Sequence, residues 1–406
     1  MKTDLDHLMS KRDLDAIVVT GLVRGNPALI YLLNGAPISH AIWIKKRDSE
    51  PVLIVGPMER EEAQVAGVPV ILESKYNYYQ LLREHNGDAL AARSAFFGRI
   101  FDDLGIRGNV GFYGMEDQGS AYRLLQGLNT ALPDVTVVGE YGPNLLGEAR
   151  ATKSAAEVAR IREAGRRTAE VVGATVSFLQ SHAVDTAEIL RRADGQVLTV
   201  GDVHAFIRRQ VVLHELEDPE GFIFSTGRDA GIPHSKGTLT APMRLGESIV
   251  FDIFPREAGG GYFFDMTRTF CLGYAPPAVQ RLHDDTRACI ETIVAQVTVG
   301  DEVRRYQNLT CAFYREHGHP TIEESPETLS GYVHSLGHGV GLDVHEEPFF
   351  REKTLLRPGH VFTIEPGLYY PDEGMGCRIE DVLWVDESGG VHNLTDFPYD
   401  LVVPMG

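Results

Sequence analysis

Basic side chains are in short supply. The 406-residue chain has 38 Lys and Arg against 57 Asp and Glu, a formal charge of −19. Phosphate recognition needs clustered cations and no basic run exists, so nucleic-acid and anionic-membrane binding are both disfavoured. Long apolar runs are missing too: no window approaches the ~20 residues of a membrane helix. The opening stretch MKTDLDHLMSKRDLDAIVVTG is acidic and polar where a secretory leader would be basic and then apolar. Cysteine is scarce. Cys271, Cys289, Cys311 and Cys377 show no CxxC spacing, which removes zinc-ribbon and disulfide-framework readings. Reduced thiols in a cytoplasmic protein are the expectation. What remains is an acidic globular composition, 43% hydrophobic and 23% charged, long enough for two or three domains.

The first third alternates short β-rich runs with helical patterns. Strands are expected at 16–20, 51–56, 68–72, 109–114 and 135–139, with helices at 58–67 and 119–132, so this part reads as an α/β domain. It carries no site chemistry. From 148 to 180 the periodicity predicts one long amphipathic helix, with Val158, Ile161, Val171 and Val172 roughly on its apolar face. The domain boundary is expected just before it, giving 1–147 and 148–406. A further helical region covers 200–216, and the chain beyond it is rich in Gly, Pro and His.

The stretch HSLGHGVGLDVHEEP, residues 334–348, crowds three histidines among glycines. A phosphate-binding loop would end in Lys-Ser or Lys-Thr and open a helix, whereas Pro348 discourages one. A zincin helix needs HExxH, and His345 has no second histidine in place. Glycine beside histidine has another use, since it lets the backbone pass close to an ion or substrate. Four carboxylates then stand out by their apolar settings: Asp252 in SIVFDIF, Asp265 in GGGYFFDMTRTF, Glu365 in VFTIEPGLYY and Glu380 in CRIEDVLWV. An unpaired charge there costs several kcal/mol, so each wants a cation. Arg268 and Arg378 could serve some of them; a divalent metal site serves all. Four carboxylates and a hydroxide carry about −5, which two divalent ions nearly neutralise and one leaves at about −3. Oxygen-rich ligands with one imidazole suit Mn2+ or Co2+.

With these residues assembled, the chain from about 151 to 400 resembles the pita-bread metallopeptidases: methionine aminopeptidase, aminopeptidase P and prolidase. The ordered motifs are GIPHSKG, FDIFPREAGGGYFFDMTRTF, HSLGHGVGLDVHEEP, FTIEPGLYY and CRIED. The first third is similar in kind to the creatinase-type N-terminal domain of the last two. The resemblance implies an α+β fold: a curved antiparallel sheet covered by helices, with a smaller α/β domain in front. It implies two divalent ions, Mn2+ first and Co2+ or Zn2+ as alternatives, held by Asp252, Asp265, His338, Glu365 and Glu380. Glu365 would also shuttle the proton. His234 would face substrate, His345 would contact the scissile carbonyl or the substrate end, and His334 would line the pocket. Arg378 and Thr267 would support the ligands. Glu346 and Glu347 are given no part in the chemistry.

Two departures accompany the resemblance. Asp252 and Asp265 lie thirteen residues apart, longer than the family's usual spacing by a residue pair. An even insertion preserves strand parity, so both can still face one side. A longer segment around 184–200 could be a rim or a subunit contact. The implied reaction is hydrolysis of Xaa-Pro bonds by a metal-bridging hydroxide, and an imide bond offers no N–H for ordinary peptidases to hold. Arg351, fourteen residues before Glu365, matches the arginine that takes the free carboxylate in prolidases. This favours an Xaa-Pro dipeptidase acting on Xaa-Pro dipeptides or short proline-containing peptides. The alternative is aminopeptidase P, which trims longer peptides. A metal-free creatinase-like hydrolase and an inactive binding module rank below both, because all five ligand positions are filled. A homodimer is expected from the relatives.

Overall fold

The computed structural model describes residues 4–406, and the chain divides into two compact units between Arg150 and Ala151. The first unit is built on a six-stranded mixed sheet. Its spatial order is Val70–Leu72, Val52–Val55, His40–Lys46, Ala16–Leu22, Gly108–Gly114 and Val135–Val138. The run Ala16–Val19 is fully buried, as a central strand covered on both faces should be. Helix Gln118–Ala131 falls where the periodicity put it, with Asp117 capping its start.

Several elements of this unit differ from expectation. Residues 58–67 form no α-helix but two short 3-10 turns, Pro57–Glu59 and Glu62–Ala66, the second closed by Gly67 in the left-handed region. Strand His40–Lys46 and helix Ala89–Leu104 have no counterpart among the expected elements. That helix is defined by its ends: Asp88 accepts a hydrogen bond from Ala91 N–H, and Gly105 stops it at φ +61.

In the second unit the helix expected over 148–180 is two helices, Leu145–Ala151 and Ala155–Gln180, the first of which straddles the division. Sequence supplies the break. Ser154 and Glu157 form a reciprocal capping box that starts a helix afresh. The residues between are drawn into extended pairing, with Thr152 bridged to His360 and Lys153 N–H bonded to Gly359 O at 2.7 Å. Val158, Ile161, Val171 and Val172 are all buried, as their spacing required.

The sheets of this unit place the site. One runs Ile223–Thr226, Ser248–Ile253, Met266–Leu272 and Val402–Val403; a second holds Val361–Ile364, Asp381–Val385 and Val391–Asn393; Gly367–Tyr370 pairs with Met375–Arg378. Helices Pro277–Val294 and Arg304–Glu316 contribute to the hydrophobic core that these strands share. All four cysteines are buried and free. The segment 184–200 is a short hairpin, Ala183–Val184 with Leu190–Arg191, leading into helix Val200–Leu213. No helix among the described residues is long and apolar enough to cross a membrane.

Candidate metal centre and its cleft

The hairpin of Ser248–Ile253 and Met266–Leu272 sets Asp252 directly opposite Thr267. Opposed residues share a face and so do residues two apart, so Asp252, Thr267 and Asp265 look the same way. A bridge between Thr267 and Glu380 brings the last motif alongside. Residues 336–338 run beside 363–365: Thr363 N–H bonds His338 O and Glu365 N–H bonds Leu336 O, both at 2.8 Å. Only glycine permits this contact, because a Cβ on Gly337 would stand 2.1 Å from Thr363 O. His338 Nε2 thereby sits 3.4 Å from Glu365 Oε1 and 3.7 Å from Asp265 Oδ2. Asp265, His338 and Glu380 offer ligand atoms all within 4.8 Å of one another.

The electrostatics of this cluster are unbalanced. Asp252 Oδ1, Asp265 Oδ1 and Glu380 Oε1 are buried and accept no hydrogen bond. Burial, followed by Glu380, Asp252 and Glu365, holds the Asp265 carboxyl well above the usual carboxylate range. Burial and then Glu380 do the same for Glu365. Burial and then Asp252 push Glu380 up to about 8. Burial and then His345 lower His338 to about 3, so its imidazole is neutral. Its Nδ1 lies 3.1 Å from Gly339 O, and donation there leaves the Nε2 lone pair facing the carboxylates. Neutral imidazole, oxygen ligands and orphaned carboxylate oxygens are a donor set that fits hard divalent ions.

One fixed cation is present. Arg378 Nη2 donates to Asp252 Oδ2 at 2.5 Å, its Nε to Thr267 Oγ1 at 3.1 Å and its Nη1 to the Tyr369 hydroxyl at 2.6 Å. Thr267 Oγ1 donates to Glu380 Oε2 at 2.7 Å. Arg268 serves none of the four carboxylates; it pairs with Asp381 at 2.9 Å on the far side of the strand. Tyr369 was not anticipated. Its hydroxyl lies 2.9 Å from His334 Nε2, joining that histidine to Arg378. The signal was the aromatic pair in GLYY, which reads equally well as core.

A cleft of about 600 Å3 opens onto this cluster, and His234, His334, His345 and Arg351 all line it. His234 and His345 are exposed at its wall, with the His345 ring 4.3 Å from that of His338. Arg351 is exposed and stacks over the Phe349 ring at 5.4 Å. Glu220 and Lys236 also face the cleft, and neither was singled out by sequence. Glu346 is a further surprise. It is buried and paired with Lys153 at 2.5 Å.

Residues 159–387, more than half of the chain, match metallopeptidase family M24. The chain belongs to that family. A stretch of 212 residues is 32% identical to the protein called "Probable dipeptidase PepE" of Mycobacterium tuberculosis (strain H37Rv), covering 50% of this chain and 52% of that one. The chain thus spans about half the length of the curated relatives it matches. Among solved structures, the prolidase from Pyrococcus furiosus superposes with a TM-score of 0.72 at 21% identity, over 97% of this chain and 99% of that one. The X-Pro aminopeptidase from Thermotoga maritima gives 0.73 at 22% identity, over 97% and 99%. These two likenesses show the fold, and the expected α+β pita-bread architecture is borne out.

Proposed function

We propose that this M24 chain hydrolyses the peptide bond that precedes proline, acting as an Xaa-Pro dipeptidase. One observation carries the reading: three buried carboxylate oxygens of Asp252, Asp265 and Glu380 have no partner, around a neutral His338. A folded protein leaves such groups open where an ion completes them. In this reading Asp252, Asp265, His338, Glu365 and Glu380 hold two divalent ions, Mn2+ first, with Co2+ or Zn2+ as alternatives. When bound, such a pair supplies an activated water and an electrophile for the scissile carbonyl.

The remaining steps belong to the protein's own side chains. Glu365, whose proton affinity is raised by burial and by Glu380, takes a proton from the attacking water and passes it to the departing proline nitrogen. His345 and His234, at the cleft wall, donate N–H to the carbonyl oxygen or the substrate end. His334 lines the pocket, backed by Tyr369. Arg378 fixes Asp252, and Thr267 orients Glu380, so the ligand carboxylates cannot rotate away. Arg351 takes the free carboxylate of the dipeptide. The same reading includes residues 1–147 as a creatinase-type domain, a homodimer and a cytoplasmic location.

A second reading, aminopeptidase P, is favoured by the exposure of Arg351, because a solvated guanidinium holds a terminal carboxylate only weakly. Hydrolysis by the Mn2+-loaded protein of Ala-Pro, compared with Ala-Pro-Pro and longer peptides, separates the two. Turnover of Ala-Pro with little release from longer peptides is expected. Efficient release from the longer peptides with Ala-Pro left intact sinks the dipeptidase reading.

A further inference from the structure

His345 is exposed, so burial does not explain why its ring rests 4.3 Å from His338. The loop between the two histidines is closed by a pair of 2.9 Å backbone hydrogen bonds joining Gly339 and Glu346. Immediately after His345, the Glu346 side chain turns inward. Its carboxylate meets Lys153 Nζ at 2.5 Å, with side-chain exposures of 5% and 1%. Lys153 is itself anchored: Nζ donates to Ala151 O at 3.2 Å, and its backbone N–H to Gly359 O at 2.7 Å. Gly341 makes the space, since a Cβ there would stand 2.3 Å from Glu346 Oε1.

A buried ion pair is a poor source of net stability, because desolvating both charges cancels most of their attraction. What it does fix is geometry. With Glu346 turned inward to Lys153, its chain neighbour His345 is left exposed on the side that lines the cleft. We propose that Lys153 and Glu346 are positioning residues that hold His345 against the metal centre. The proposal rests on the reading above, in which His345 touches the substrate. The anchor lies on the interior side of the loop, so it fixes the histidine without occupying the cleft.

The test uses the full-length protein carrying Lys153→Met together with Glu346→Gln, which removes both charges and leaves no orphan ion. In its crystal structure the His345 ring is expected to leave its place beside His338 while Asp265 and Glu380 keep theirs. On Ala-Pro, kcat is expected to fall about ten- to a hundredfold with KM little changed. Once His345→Ala is present, the same pair of changes should cost less than about twofold. A His345 ring still 4.3 Å from His338, or an equal loss with and without His345, overturns the proposal. Should the double variant not fold, Glu346→Asp keeps the charge, withdraws it by one methylene and is judged by the same criteria. If the wild-type protein does not cleave Ala-Pro, the functional reading falls, and the ring position alone decides this one.

Discussion

Glu380 and Asp381 are neighbours in the chain with opposite fates. Asp381 is fully satisfied: Arg268 Nη2 donates to Oδ1 at 2.9 Å, and Asn393 Nδ2 and the Tyr399 hydroxyl both donate to Oδ2. Arg268 is equally complete, donating also to the backbone oxygens of Thr267, Glu380, Phe397 and Pro398. On the other face, Arg378 donates to Asp252, and Asp252, Asp265 and Glu380 each retain an open oxygen. Both regions are buried, so exposure does not separate them. Satisfaction does: one network is closed and structural, the other lacks positive charge.

The largest effect should come from removing a carboxylate of the open network. Asp265→Ala is expected to lose metal and lower kcat on Ala-Pro by at least about a hundredfold, with metal-free stability unchanged or improved because a repelled charge is gone. Metal analysis, kinetics and urea unfolding check this together. Asp381→Ala reverses the pattern. Leaving Arg268 buried and uncompensated should cost about 3–5 kcal/mol in urea unfolding, while the folded fraction still binds metal. Next comes Thr267→Val, which deletes the hydroxyl joining Arg378 to Glu380; metal affinity should weaken about 10- to 100-fold by calorimetric titration.

A smaller effect concerns pH. The folded-state pKa of Glu380 is raised from 4.5 to about 8, led by burial, and those of Asp265 and Glu365 are raised in the same direction. A raised carboxyl pKa bears no penalty below its unfolded value and a growing one as pH climbs toward the folded value. The metal-free protein should therefore lose melting temperature as pH rises from about 4.5 to about 8, by roughly 2–4 °C per kcal/mol. Saturating Mn2+ should flatten that slope. The smallest change is expected from Arg351→Ala, with KM for Ala-Pro rising about tenfold or less and KM for longer peptides unmoved.

The open network was legible in the sequence because a charged residue inside an apolar strand is conspicuous: SIVFDIF, VFTIEPG and CRIED each advertise one. The closed network was not, since Arg268 looks as available to Asp252 as to Asp381 until strand pairing assigns the faces. Glu346 was passed over for a related reason. In HEEP it sits among loop residues, and its partner Lys153 is 193 positions away, a separation no local pattern reports. Over 148–180 the Ala-rich periodicity predicts one continuous helix because it runs through the Ser154–Glu157 capping box that divides the two. Helix Ala89–Leu104 was missed although its Asp88 and Gly105 caps are readable.

The central claim is that the open carboxylates of Asp252, Asp265 and Glu380, with Glu365 and His338, hold two metal ions for the hydrolysis of an Xaa-Pro bond. The most direct measurement titrates Mn2+ into thoroughly chelated protein while following both bound metal and Ala-Pro hydrolysis. About two equivalents should bind, with activity appearing as they do and both lost in Glu380→Gln. Full hydrolysis by the chelated protein, or no metal uptake at all, would contradict the account.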